Sequence, residues 1–417
     1  MQNQDRRSRF SWMLYDWANS AFAVTVISGF FPLFFKQYWS EGTPVTTSTF
    51  YLGLGNSLAS LVIVLAAPVL GALADHGGRR KRMLASLACV GILATSGLFF
   101  VQQGSWALAI ALFFFGIIGF SGANIFYDSL LLAVAGDSDR HRLSAAGYAM
   151  GYLGGGLLFL VNVTMTLKPG WFGLAGTAEA VRWSFISVAI WWAVFSLPLL
   201  LWVREPVSQQ SRSRSLITDA FSSIWKTLNS IRQNRNAWLF LLSYWLYIDG
   251  VATIIRMAVD YGLSIGLPSN SLITALLLVQ FIGFPATLLF GRLAERIGAR
   301  RGLWIGLWVY VAATTYAVFM DSSLEFYILA VALGLVQGGV QSLSRSLFSH
   351  LIPPEKNGEY FGFLNMMGKA AAVVGPVLVG FIAFLTEDPR LGIWSILILF
   401  FAGMWLLRYV DDPTENR

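Results

Sequence analysis

Long apolar runs, one after another, decide what this chain can fold into. Twelve can be marked out, at Ser11–Tyr38, Ser48–Leu73, Met83–Gln102, Trp106–Ala135, Leu143–Leu167, Val181–Val203, Ala237–Leu263, Asn270–Leu293, Gly302–Met320, Leu324–Ser349, Tyr360–Leu385 and Leu391–Tyr409. Each is close to the ~20 residues that carry a helix through the hydrocarbon core of a bilayer. A spanning helix satisfies its own backbone hydrogen bonds, which lipid cannot do. Composition removes the soluble alternative: 56% of the 417 residues are hydrophobic, 12% are charged and mean hydropathy is +0.62. A water-soluble fold would leave very large apolar patches exposed. The expected fold class is an all-α membrane protein with twelve transmembrane helices.

The formal charge of +7 is unevenly placed. One set of alternate connections holds about 22 of the 29 Lys and Arg, the opposite set about four and the spans about three. Basic loops stay on the cytoplasmic side. Both termini belong to the basic set, so both are expected in the cytoplasm. The charge therefore reports topology and contact with anionic lipid headgroups, not nucleic acid. Cys89, the only cysteine, lies in an apolar run and cannot form an intrachain disulfide. The first apolar run is too long for a cleavable signal and has no clear cleavage site.

Two short basic hairpins interrupt the apolar pattern at matching places. GALADHGGRRKR (Gly71–Arg82) follows the second run, and GRLAERIGARR (Gly291–Arg301) follows the eighth. Both read Gly-x-Leu-Ala-acid, then Gly and a basic cluster. Two copies half a chain apart imply a duplicated membrane protein, and such internal symmetry points to secondary transporters. The expected domains are 1–203 and 237–417, each a six-helix bundle, joined by a cytoplasmic segment at 204–236. Within that segment Ile217, Ala220, Phe221, Ile224, Leu228 and Ile231 recur at helical spacing, with Lys226 and Arg232 elsewhere on the helix. This is an amphipathic helix lying on the inner membrane surface, or a partner-binding helix. Gly147, Gly151 and Gly155 share one face of the fifth span, and Gly368, Ala372, Gly375 and Gly380 recur in the eleventh, as close helix packing requires. Pro32, Pro68, Pro198, Pro285 and Pro376 are expected to bend their spans.

Six spans, a central loop and six more spans, with the hairpin after the second and eighth, resemble the major facilitator superfamily. Its G-x-L-a-D-r-x-G-r-k signature is met by Gly71, Leu73, Ala74, Asp75, Gly78, Arg79 and Arg80, with His76 in place of a basic residue. Glycines permit the tight turn, while Asp75 and Arg79 can pair with neighbouring helix ends and latch the cytoplasmic side. Within the superfamily the chain is similar to the branch named after the fungal vacuolar amino-acid effluxer, also called unknown major facilitators. SWMLYDWANSAFA (Ser11–Ala23), YWLYIDGVATII (Tyr244–Ile255) and SRSLFSHLIPPEKNGEYFGFLNMMGKAAAVVGP (Ser344–Pro376) carry that similarity. It implies transport of small polar solutes, amino acids among them, and favours a monomer. The chain lacks the long extensions common in fungal members, which weakens a vacuolar inference; the expected location is a bacterial cytoplasmic (inner) membrane.

Polar groups inside the spans are the sequence's main pointers to function. Asp16 and Asn19 lie in span one, Asn124 and Asp128 in span four, and Tyr247, Asp249 and Arg256 in span seven. Gln337, Gln341 and Arg345 lie in span ten, Asn365 and Lys369 in span eleven. Each charge costs about 2.5–3.5 kcal/mol at the centre of an isolated span. Six facing lipid would cost on the order of 15–20 kcal/mol, so they face the interior, water or one another. The resemblance implies that the first and fourth helices of each half line a central cavity, and five of the six charges fall there. Structural roles compete for several. Asp128 serves a gate with Arg79 or a substrate. Arg345 pairs with Glu295 at the cytoplasmic gate or binds solute. Arg256 binds a ligand or pairs with Asp260 one turn on. Lys369 binds substrate or snorkels to the interface. Asp249 is the leading substrate or proton site, since it lies roughly 18 Å into its span at 1.5 Å per residue. Leu14-Tyr15-Asp16 against Leu246-Tyr247-Ile248-Asp249 makes the two aspartates approximate repeat mates.

These residues suggest a rocking carrier. A zwitterion would meet Asp249 or Asp16 through its ammonium, and Lys369 or an arginine through its carboxylate. Burial without a partner favours the protonated carboxyl, which makes a proton a candidate second cargo. With 16 Trp, 14 Tyr and 32 Phe, export of amphipathic compounds is the rival carrier reading. A receptor without transport comes next. An enzyme is not expected: His76, His141 and His350 fall in or beside cytoplasmic loops, and no GxxxxGK[ST] phosphate loop occurs. No metal or cofactor is expected.

Overall fold

The computed structural model describes residues 2–75, 80–134, 140–205, 225, 228–352, 363–364, 366–368, 370–371 and 373–411. Side chains at 2–5, 67–69, 71–75, 132, 140–142, 144–145, 288, 290–296, 346 and 349 are outside that description. Every regular element among the described residues is a helix.

The first, α1 (Gln2–Ala21), continues as a π-helix over Phe22–Phe30, an α turn at Phe31–Phe34 and a second π segment at Phe35–Trp39. Pro32 accounts for the widening. Its ring has no N–H and collides with the carbonyl four residues back, so the ladder adds a residue. Phe31 N–H accordingly donates to the Val26 carbonyl, five residues earlier. The chain then runs through α2 (Val45–Asp75), α3 (Arg80–Gly97), α4 (Trp106–Val134), α5 (Arg140–Leu167) and α6 (Thr177–Trp202). After the central segment come α7 (Arg235–Ser264), α8 (Ser269–Ile297), α9 (Ala299–Ala317), α10 (Ser323–Leu351), α11 (Gly375–Thr386) and α12 (Pro389–Leu407).

Ten of these helices are long and apolar enough to cross a membrane. The 19-residue α9 and the 12-residue α11 occupy the places expected for the ninth and eleventh spans. The eleventh is not one unbroken rod: Val373 and Val374 form a bend, and α11 starts after them. Pro376 sits in the first turn of α11 rather than bending a span, contrary to expectation, because a first-turn N–H has no intrahelical partner to lose.

Packing divides the chain into two compact units, Met1–Gly42 with Leu65–Ser222, and Thr43–Val64 with Ser223–Arg417. The boundary falls inside α2, whose first half belongs to the second unit. In the first unit α1 is the most enclosed span, with 89% of its most apolar window buried. In the second α7 leads at 61%, against 28% for α8. The two helices that carry Asp16 and Asp249 are thus the innermost of their units.

Corresponding helix ends are tied alike in both units, which supports the duplication. Arg9 on α1 donates to the Val134 carbonyl at the end of α4 (3.2 Å), and Asn234 at the start of α7 to the Leu351 carbonyl at the end of α10 (2.9 Å). Lys81 on α3 reaches the Leu200 carbonyl near the end of α6 (2.8 Å), and Arg300 on α9 the Arg408 carbonyl after α12 (3.1 Å). The three basic donors, Arg9, Lys81 and Arg300, also complement the helix dipole, whereas Asn234 supplies a neutral hydrogen bond.

Small residues set the closest helix approaches. Gly147, Gly151 and Gly155 all lie against α1: Cβ atoms there would come 2.8 Å from Asp16 Oδ2, 2.6 Å from Ser20 Oγ and 3.0 Å from the Ser20 carbonyl. Where α3 meets α4, a Cβ on Gly119 would stand 2.3 Å from the Gly91 nitrogen and 2.6 Å from its Cα. Backbone cannot rotate aside as a side chain can. Gly119→Ala should therefore cost about 1–3 kcal/mol by overpacking, read as a lower unfolding temperature in detergent. Gly156→Ala, which meets nothing within 4 Å, is the control.

Candidate functional site

The first unit concentrates polar groups around the middle of α1. Asp16 Oδ2 accepts from the Tyr127 hydroxyl of α4 at 2.9 Å. One turn further along α1, Asn19 Nδ2 donates to Asn124 Oδ1 of α4 at 2.7 Å. Trp12 stacks on the Tyr127 ring, with centroids 4.5 Å apart, and its indole N–H donates to the Tyr127 carbonyl. Tyr15 tilts against the same ring at 5.0 Å. Gly147 lets α5 approach until the carboxylate has little spare room on that side. Of the expected site residues, Asp16 and Asn19 thus lie one turn apart on α1, and Asn124 meets Asn19 from α4. The half-buried Asp128 is next to Tyr127 in sequence. Its expected partner Arg79 lies outside the described residues, as do Asn365 and Lys369. The side chains of Asp75 and Glu295 are outside them too, so both expected cytoplasmic gates fall there, Arg345 being half-buried on α10. Most of the expected amphipathic helix at 204–236 is likewise outside, although Ile231 is fully buried and the Arg232 guanidinium sits over the Trp238 ring.

In the second unit one face of α7 carries Asp249, Thr253, Arg256 and Asp260, spaced three to four residues apart. Asp249 is 1% exposed and both its oxygens take backbone donors. Oδ1 accepts from Gly375 N–H and Oδ2 from Val374 N–H, each at 3.0 Å. The carboxylate thus caps α11, satisfying N–H groups a helix start leaves open. Gly375 makes this possible, since a Cβ there would stand 1.8 Å from Thr253 Oγ1. Among the described residues the two aspartates expected as repeat mates meet different donors, a tyrosine hydroxyl for Asp16 and a helix terminus for Asp249.

Arg256 donates from Nη1 to Asn56 Oδ1 (3.3 Å) and Ser60 Oγ (3.2 Å) of α2. The alternative pairing with Asp260 does not form. Asp260 instead accepts from Thr49 Oγ1 at 2.6 Å, because α2 lies closer to both groups than they lie to each other. Tyr247 is fully buried and shares a 2.7 Å hydrogen bond with Ser344 of α10. Gln337 and Gln341, one turn apart on α10, are half-buried with no hydrogen-bond partner among the described residues.

Sequence reading missed the α2 stripe that meets α7 and α11. Thr49, Gly53, the pair Asn56 and Ser57, and Ser60 return to one side of a largely apolar span at helical spacing, which was the available signal. Ser57 Oγ accepts from Val377 N–H at 3.1 Å. Tyr127 and Trp12 were missed as well. Apart from these polar groups, the second unit has a cavity of about 80 Å³ walled by Ile254, Leu276, Val279, Ala313 and Leu333. Two hydroxyls beside it are already spent, Tyr261 on the Ala317 carbonyl and Thr314 on the Tyr310 carbonyl.

Spanning helices in two compact units, with charges on the innermost helix of each, define a membrane transporter of the major facilitator type. The D-xylose-proton symporter shares the fold with a TM-score of 0.68 at 16% identity, over 97% of this chain and 98% of that one. The nucleoside transporter NupG does so at 0.67 and 14%, over 97% and 99%. The chain belongs, more narrowly, to the vacuole effluxer Atg22-like family, whose profile it matches over residues 4–416. An uncharacterized MFS-type transporter of Bacillus subtilis, YxiO, is 35% identical over 418 residues, covering 100% of this chain and 97% of that protein. Autophagy-related protein 22 of Eremothecium gossypii is 24% identical over 461 residues, covering 95% and 89%. The family is one of transporters, not enzymes, and its ligands are small molecules.

Proposed function

We propose that this transporter carries small polar solutes, amino acids or related zwitterions, by alternating access between two six-helix bundles at 1–203 and 237–417. It would act in a bacterial cytoplasmic membrane as a monomer, with both termini and the 204–236 segment cytoplasmic. The basic-loop bias supports that orientation. The observation that carries the reading is the cluster of Asp16, Tyr127, Asn19 and Asn124 inside the first unit. A carboxylate within a span, with amides and aromatic faces around it, suits an ammonium group through charge, hydrogen bonding and cation–π attraction. Gln337 and Gln341 supply amides with no hydrogen-bond partner among the described residues of the second unit. The names of the effluxer family and the proton-coupled sugar symporter support solute movement, with protons as a candidate driving ion. One charge moved through 100 mV supplies about 2.3 kcal/mol.

Uptake and efflux of labelled amino acids in proteoliposomes, with and without a pH gradient, test this. Asp16→Asn should lower transport at least about tenfold, the loss expected when a charge-assisted hydrogen bond becomes a neutral one. Transport by Asp16→Asn at the parent rate would remove the site. The apolar cavity favours a second reading, export of amphipathic compounds. Competition by hydrophobic cations but not by amino acids would select it.

A further inference from the structure

The polar face of α7 holds a cation that touches no carboxylate among the described residues. Arg256 lies within a span, half-buried, and the two acceptors that hold it, Asn56 and Ser60, are neutral. Among the described residues no carboxylate comes within 4.0 Å of its guanidinium. A guanidinium offers five N–H donors. Only Nη1 is spent here; Nε and Nη2 have no acceptor among the described residues, and neither is closed off from solvent. A charge kept in a span at this cost, with donors left over, can still donate to an anion.

The surroundings narrow which anion. The planar fork of arginine matches a carboxylate or a phosphate. Asp249 and Asp260 stand on the same helix seven residues before and four after, and each is held by other donors. Their negative charges oppose a dianion at Arg256. They oppose a single carboxylate less, and least when it brings its own ammonium a few atoms away. Asn56 and Ser60 fix one edge of the guanidinium and leave the other for the ligand.

We infer that Arg256, steadied by Asn56 and Ser60, is a carboxylate-recognition site and that a free carboxylate is obligatory in the solute. This rests on the transporter reading above and deepens it from polar solutes in general to amino acids with an unmodified carboxyl group.

The test compares the twenty free L-amino acids with their carboxamides and the corresponding amines. The purified protein is screened by thermal shift and, in proteoliposomes, by counterflow. Free acids should raise the unfolding midpoint and exchange across the membrane, with carboxamides and amines at least about tenfold weaker. Arg256→Gln should lose that preference, and Arg256→Lys should keep a weakened one. The comparison of acid with carboxamide on the unaltered protein needs no variant to fold. Equal response to acids and carboxamides, or an undiminished preference in Arg256→Gln, overturns the inference and leaves the transporter reading standing. No response to any of these compounds removes both.

Discussion

Asp249→Ala should be the most destabilising single substitution on the polar face of α7. The carboxylate accepts from Val374 and Gly375 N–H at the start of α11, inside the membrane-spanning part of the fold. Alanine would leave two donors without acceptors, at about 1–3 kcal/mol each. Water cannot replace the carboxylate where the residue is 1% exposed. The expected outcome is a loss of about 2–6 kcal/mol, seen as a much lower unfolding temperature and poor recovery from detergent. Asp249→Asn keeps one oxygen and should fall between the two. An alanine variant as stable as the parent would show that α11 does not depend on this cap, and would return Asp249 to the candidates for direct solute contact.

The second large effect concerns the first half of α2. A Cβ on Gly53 would stand 2.2 Å from the Pro376 carbonyl oxygen and 3.0 Å from its carbon. Pro376 opens α11 next to the two residues whose N–H groups Asp249 holds, so it has little freedom to retreat. Gly53→Ala should push Thr43–Val64 away from α7 and α11 and strain the hydrogen bonds of Thr49, Asn56, Ser57 and Ser60. Overpacking of this kind costs about 1–3 kcal/mol. Hydrogen–deuterium exchange should rise by about tenfold or more across 45–64 while α3 and α4 stay protected, a local rather than global opening. Unchanged exchange there would mean that α2 is held by other contacts.

Both effects reach Arg256, since its acceptors Asn56 and Ser60 are on α2. Gly53→Ala should therefore weaken carboxylate preference as well. Asp16, held by α4 and α5 of the other unit, should keep its hydrogen bond with Tyr127 in either variant.

The amino-acid order alone determined that this is a helical membrane protein, and did so for a physical reason. Lipid cannot bond to the backbone, so each crossing must be a long apolar helix, and such helices are visible one residue at a time. Two hairpins at equivalent places made a duplication the natural expectation in the same way, and Asp16, Asn19 and Asn124 could be seen to fall inside spans. What a buried charge touches is set by residues far along the chain, and only the tertiary structure decided it. Asp249 meets α11 more than a hundred residues later, at a break that an apolar run does not announce. Arg256 turns to α2, about two hundred residues earlier, instead of to Asp260 on its own helix. Spacing along one helix specifies which face a side chain occupies, whereas its partner depends on which other helix glycine allows to come close.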